Sequence, residues 1–163
     1  MYEKGKEIKS LNIENIPCTK VAYIRQVGPY GDNNRQTMDR LKVWAQSMRL
    51  LNEDSVLLGI AYDNPAFVES NKCRYDTCLI LSENSVINDT CVQEGRIQGG
   101  NYAVFQIAHT AKAVENAWNT IFSAISSEDC QLDEGRPIME RYNFKLLKEH
   151  YCEICVPILS FEA

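Results

Sequence analysis

Thr19-Lys-Val-Ala-Tyr-Ile-Arg-Gln-Val27-Gly28-Pro29-Tyr30-Gly31-Asp32 is the stretch on which the fold turns. Residues 19–27 are rich in β-formers, and 28–32 are dense in turn residues, so it reads as a strand closed by a turn. A helix is expected to follow over 33–48, because Thr37, Leu41, Trp44, Ala45 and Met48 recur at helical spacing. Two strands come next, at 56–62, halted by Asp63-Asn64-Pro65, and at 75–81. The cycle then repeats. Gly99-Gly100 introduces a strand at 102–108, and a helix at 112–125 carries Val114, Trp118, Ile121 and Ile125 on one side, widened by Ala117 and Phe122. Strands at 136–144 and 151–158 close it.

Both halves therefore read strand, helix, strand, strand. Ala22-Tyr-Ile and Ala103-Val-Phe open the two first strands, each helix carries a tryptophan, Tyr62-Asp63-Asn64 parallels Tyr142-Asn143, and Tyr75 parallels Tyr151. An internal repeat of this length predicts two half-domains, about 13–88 and 96–159, within one domain spanning 1–163. The fold class is α+β: antiparallel sheet, a helix from each half, and a pseudo-twofold relation with a groove where the halves pack.

Composition narrows the function classes. A formal net charge of −5 and the lack of any dense Lys/Arg cluster argue against nucleic acid as a direct partner. No apolar run is long enough to span a bilayer. The segment Met1-Tyr-Glu-Lys-Gly-Lys-Glu has no signal-peptide core, so a cytoplasmic location is expected. The seven cysteines are odd in number and irregular in spacing, which predicts reduced thiols rather than a disulfide framework. Cys152-Glu-Ile-Cys155 matches CxxC, but residues three apart on a strand point to opposite faces, so the pair is not expected to share a metal. Gly95-Arg-Ile-Gln-Gly-Gly reads as a turn, and His109 as a solvated turn residue. No metal or cofactor is expected.

One segment carries chemistry. In Arg136-Pro137-Ile138-Met139-Glu140-Arg141-Tyr142-Asn143-Phe144, read as a strand, Glu140 shares a face with Ile138, Tyr142 and Phe144. A carboxylate on an apolar, aromatic face is costly to desolvate unless a cation or a hydrogen bond meets it. Arg136, Arg141 or a neighbouring lysine would make it a mere structural pair. A bound cation would make it a receptor.

The chain resembles the GyrI-like effector-binding family, whose members stand alone or form the ligand domains of AraC-type and MerR-type regulators. The resemblance is carried by Ala22-Tyr-Ile-Arg-Gln-Val-Gly-Pro-Tyr30-Gly31, Leu58-Gly-Ile-Ala-Tyr-Asp-Asn-Pro65, Cys73-Arg-Tyr-Asp-Thr-Cys78, Gly99-Gly-Asn-Tyr-Ala-Val-Phe105, Trp118, Pro137-Ile-Met-Glu140-Arg-Tyr142 and Ile154-Cys-Val-Pro157. It departs from the family at Ala108-His109-Thr110-Ala111, where a Gly-Pro-like turn is usual. The resemblance implies a groove that takes bulky, often cationic aromatic ligands, with a buried glutamate at the position of Glu140. With so short a stretch ahead of the first strand candidate, no helix-turn-helix is expected.

The expected ligand residues are Glu140, Trp118, Tyr142, Tyr62, Tyr75, Phe144, Tyr102 and Tyr30, since a flat cation gains from each ring face it meets. Trp44, Phe105 and Phe122 are expected in the core. The function so implied is uptake of amphipathic cationic aromatics for multidrug sensing, transcription regulation or sequestration. The alternatives are a hydrolase of electrophilic natural products, with Glu140 as general base and Tyr142 as acid, or an inhibitor of a topoisomerase by protein contact. Exposed strand edges permit a homodimer, and a separate regulator is a further candidate partner.

Overall fold

The computed structural model describes the backbone of residues 8–127 and 130–159 and the side chains of 10–121 and 130–159. The charged segment 1–7 and the side chains of Phe122 and Ile125 lie outside the described residues. The chain is α+β, divided into two compact units, Cys18–Gln98 and Met1–Pro17 with Gly99–Ala163.

In the unit Cys18–Gln98, strands β2 (Thr19–Val27), β3 (Val56–Ala61), β4 (Arg74–Ile80) and β5 (Gln93–Ile97) follow β1 (Ile8–Ile16) of the other unit in the chain. They form an antiparallel array in the order β3-β4-β2-β5. Helix α1 (Asp32–Ser47) packs on β2 and β4 and buries Thr37, Met38, Leu41 and Ala45, the four-residue steps of one helical face. Two expectations fail at its end. Met48 follows the helix and is 55% exposed. Trp44 is only partly buried, because its indole N–H donates to Asp89 Oδ2 at 3.1 Å. A buried indole needs such an acceptor, and the surface supplies it here.

The stretch at Gly95 is strand, not turn. It pairs with Val21 in β2, and a Cβ on Gly95 would lie 2.8 Å from the Tyr23 ring. The glycine marks a close approach of an aromatic ring, a use that is indistinguishable from a turn signal in sequence. Gly59 in β3 plays the same part more tightly, since an added Cβ would meet the Tyr75 hydroxyl at 2.0 Å.

The other unit orders its strands β1-β6-β8-β7, with β6 (Gly100–Ala108), β7 (Met139–Asn143) and β8 (Tyr151–Pro157), again antiparallel. Helix α2 (Ala111–Ser127) lies on one face of it. Ala103, Phe105 and Ile107 of β6, Cys152, Ile154 and Val156 of β8, and Ala117 and Ile121 of α2 close into one apolar cluster. Alternation in each strand puts these residues on a single sheet face, and their burial is what anchors α2.

The opposite face holds an ion cluster. Arg141 donates Nε and Nη2 to Glu153, and Nη1 and Nη2 to Glu14, all between 2.9 and 3.0 Å. The cysteines form no disulfide among the described residues, and Cys152 and Cys155 fall on opposite faces. Among the described residues, no helix is long and apolar enough to cross a membrane.

Gly59→Ala is expected to lose about 1–3 kcal/mol in urea denaturation, because the ring of Tyr75 must move. Tyr75→Phe should restore only part of this, since the ring carbon bearing the hydroxyl would still stand 2.9 Å from the new methyl. Full stability in Gly59→Ala alone would show that the ring approach is slack.

Candidate functional site

Glu140 is the second residue of β7, opposite Ile154 of β8. Directly opposed residues share a sheet face, so its carboxylate lies on the α2 side with the apolar cluster. Ile138, Tyr142 and Trp118 pack against that same cluster from its margin. Glu140, Tyr142 and Trp118 are each partly buried. The structure thus brings three of the sequence-expected residues to one apolar margin.

No arginine reaches Glu140 among the described residues. Arg141 is consumed on the opposite face, as β-strand alternation requires. Arg136 pairs with Asp133 at 2.8 Å and donates to the carbonyls of Asn101 and Ile158. The group that meets Glu140 is the Tyr142 hydroxyl, which donates to Oε2 from two residues along the same strand face. Burial raises the pKa of Glu140 above the ordinary carboxyl range, and the Tyr142 hydrogen bond offsets this in part.

Two neighbours escaped the sequence reading. The His109 ring stands edge-on to Tyr142, with centroids 5.7 Å apart and planes at 62°. His109 is exposed, as a turn residue should be, but the turn returns its ring to Tyr142. Cys152, on the same face as Glu140, has its thiol pushed up to about 12, by burial first and then by the charge of Glu140. A thiol so held is not a nucleophile near neutrality. Only the strand pairing of β7 with β8 puts it there.

Two expected residues sit elsewhere. Phe144 is not on the strand face. It opens α3 (Phe144–Leu147), because Asn143 is the last residue of the strand and its side chain accepts from Lys145 N–H at 3.0 Å as a helix cap. Tyr102, three residues before Phe105 on β6, faces the other side of the sheet and is 1% exposed. Its ring lies beneath the Arg136 guanidinium, 4.7 Å from centroid to Cζ, and burial raises its phenol pKa.

Tyr30, Tyr62 and Tyr75 belong to the unit Cys18–Gln98, and each is engaged within it. The Tyr30 hydroxyl donates to Arg74 O at 2.6 Å, and its ring meets Tyr75 edge-on at 6.1 Å. Tyr75 is buried over Gly59. Tyr62 is 37% exposed, lies 5.3 Å from Arg25 and 5.5 Å from Arg74, and its phenol is pushed up to about 12 by burial and then by Asp76.

An apolar sheet face roofed by a helix, with one carboxylate and two rings at its margin, defines a small-molecule-binding domain of α+β type. The GyrI-like small molecule binding domain model matches residues 10–159, and the chain belongs to that family. It is 39% identical over 149 residues to the SPbeta prophage-derived putative transcriptional regulator YosT of Bacillus subtilis, covering 91% of this chain and 98% of YosT. It is 25% identical over 139 residues to the DNA gyrase inhibitor of Salmonella typhimurium, covering 83% and 87% of the two chains. Among solved structures, SAV2435 bound to tetraphenylphosphonium superposes with a TM-score of 0.59 at 13% identity, covering 93% of this chain and 94% of that one.

A carboxyl whose pKa is raised by folding is destabilising when ionised. The penalty is absent below the ordinary value of 4.5 and grows as pH climbs through the folded value. Glu140→Gln keeps an acceptor for Tyr142 but carries no charge. It should therefore be more stable than the unmutated chain at neutral pH, with the gap closing on acidification, as read by urea denaturation. Equal stability at both ends of that range would show that the carboxylate is well solvated.

Proposed function

We propose that the chain binds amphipathic cationic aromatic compounds at the α2 face of the unit holding Glu140, with Glu140 as the counter-charge. The supporting observation is the position of that carboxylate. It is desolvated enough to raise its pKa, it borders an apolar cluster, and no described guanidinium or ammonium pairs with it. Its hydrogen bond from Tyr142 leaves lone pairs for a guest, since a carboxylate accepts at about four sites.

A cation at Glu140 would hold the carboxylate ionised and remove the cost that burial imposes on it. Trp118 and Tyr142 border the same cluster and offer ring faces, each worth about 0.5–2 kcal/mol to a cation. The selectivity that follows is for charge sign and bulk, because few directional hydrogen bonds constrain the ligand. SAV2435, bound to a lipophilic cation in a related fold, supports this reading by likeness. A drug sensor or a sequestering module is the role this chemistry suits.

Tetraphenylphosphonium titrated into a Trp44→Phe background should change the Trp118 fluorescence. Glu140→Gln in that background should weaken the binding at least about tenfold, the scale of a charge-assisted contact. An unchanged dissociation constant in Glu140→Gln would remove the counter-charge role.

A further inference from the structure

Strand β1 ends the array of its unit, and only its β6 side carries a partner strand. Which backbone groups it leaves over follows from two bonds further in. Ile158 N–H donates to Asn101 O at 3.0 Å, and His109 N–H donates to His150 O at 2.7 Å. The odd-numbered residues of β6 therefore spend their N–H and C=O on the β8 side. In an antiparallel ladder the alternate residues turn the other way. Tyr102, Val104 and Gln106 thus bond to β1, where their partners are Glu14, Asn12 and Ser10. The N–H and C=O of Leu11, Ile13 and Asn15 point away from β6, and none has a backbone partner among the described residues.

Open edges are usually blunted by charge, proline or a bulge. Here the bulge and the proline stand at the ends of the strand. The register slips between Ile8 and Ser10, and Pro17 follows the last residue. The regular stretch between, residues 10–16, holds a single charge, Glu14, which Arg141 meets at 2.9 Å. Ile13, at the centre of that stretch, is 49% exposed although it lies opposite Ala103, on the sheet face that carries the apolar cluster. Leu11 packs against the cluster from the same face.

We infer that a second copy of this chain covers this edge, with β1 pairing antiparallel to its own counterpart about a twofold axis at Ile13.

Backbone and charge together select that register. Outward groups must meet outward groups, so Leu11, Ile13 and Asn15 pair with the same three residues of the second copy. An axis at Ile13 uses the whole regular stretch. It sets Ile13 against the partner's Ile13 and Leu11 against the partner's Asn15. On the other face Glu14 meets the partner's Asn12, an amide donor rather than a second acid. An axis at Glu14 would oppose two carboxylates, which is unfavourable. An axis at Asn12 would run the pairing into the slipped end at Ile8. Each outward pair exchanges two N–H···O bonds, and the two exposed isoleucines bury each other.

Sedimentation velocity on the full chain should show monomer passing to dimer as concentration rises from the micromolar to the millimolar range. Amide hydrogen exchange read by NMR reports the register. Leu11, Ile13 and Asn15 should gain protection with concentration, whereas Asn12 and Glu14 are protected throughout by β6. Ile13→Lys sets two ammonium groups opposite each other at the axis and should weaken the dimer at least about tenfold. The exchange measurement uses the unmutated chain and stands even if the variant folds poorly. A monomer at every concentration, or protection at Leu11, Ile13 and Asn15 that does not vary with concentration, would overturn the proposal. So would a dimer undiminished in Ile13→Lys.

Discussion

The desolvation of one carboxylate organises the C-terminal part of this protein. β7 must present its apolar side to the cluster that anchors α2, and the register with β8 puts Glu140 on that side, opposite Ile154. A charge there is unfavourable, and the protein answers it with a phenol rather than with a cation. Tyr142 donates a hydrogen bond but neutralises nothing, so the site keeps an unmet electrostatic demand. The arginine next in sequence cannot help, because strand alternation commits Arg141 to the opposite face and to Glu14 and Glu153.

That division of labour has an energetic logic. The Arg141 side chain is 14% exposed and donates four hydrogen bonds to two carboxylates, so either partner alone would still leave its charge paired. Glu140 is held short of that state. Burial raises the cost of ionising it, and the Tyr142 hydrogen bond offsets part of that cost. The unit Cys18–Gln98 treats its buried acid differently, since Asp76 is met directly by Arg25, whose guanidinium also lies 5.3 Å from the Tyr62 ring centroid.

Much of the fold was legible because its signals are local and periodic. The apolar spacing of Thr37, Leu41 and Ala45 marks α1, and the alternation of Ala103, Phe105 and Ile107 marks the buried face of β6. β1 and β5 were missed for a physical reason. Both are held mainly by cross-strand partners, and the one glycine in β5 looks like a turn until the Tyr23 ring is seen lying against it. Phe144 was placed on the strand because alternation continues through it in sequence, whereas the Asn143 cap ends the strand one residue earlier.

The sequence by itself determined that Glu140 and Tyr142 share a face and that Arg141 opposes them, since a two-residue period follows from L-chirality and an extended backbone. It also determined the order of six of the strands and of the two long helices, which is written in hydrophobic spacing. Only the tertiary structure decided what meets each charge. His109 and Cys152 beside Glu140 and Tyr142, Arg136 over Tyr102, and Arg25 on Asp76 all depend on strand register. Those choices are made by long-range pairing, and no local stretch of the chain encodes them.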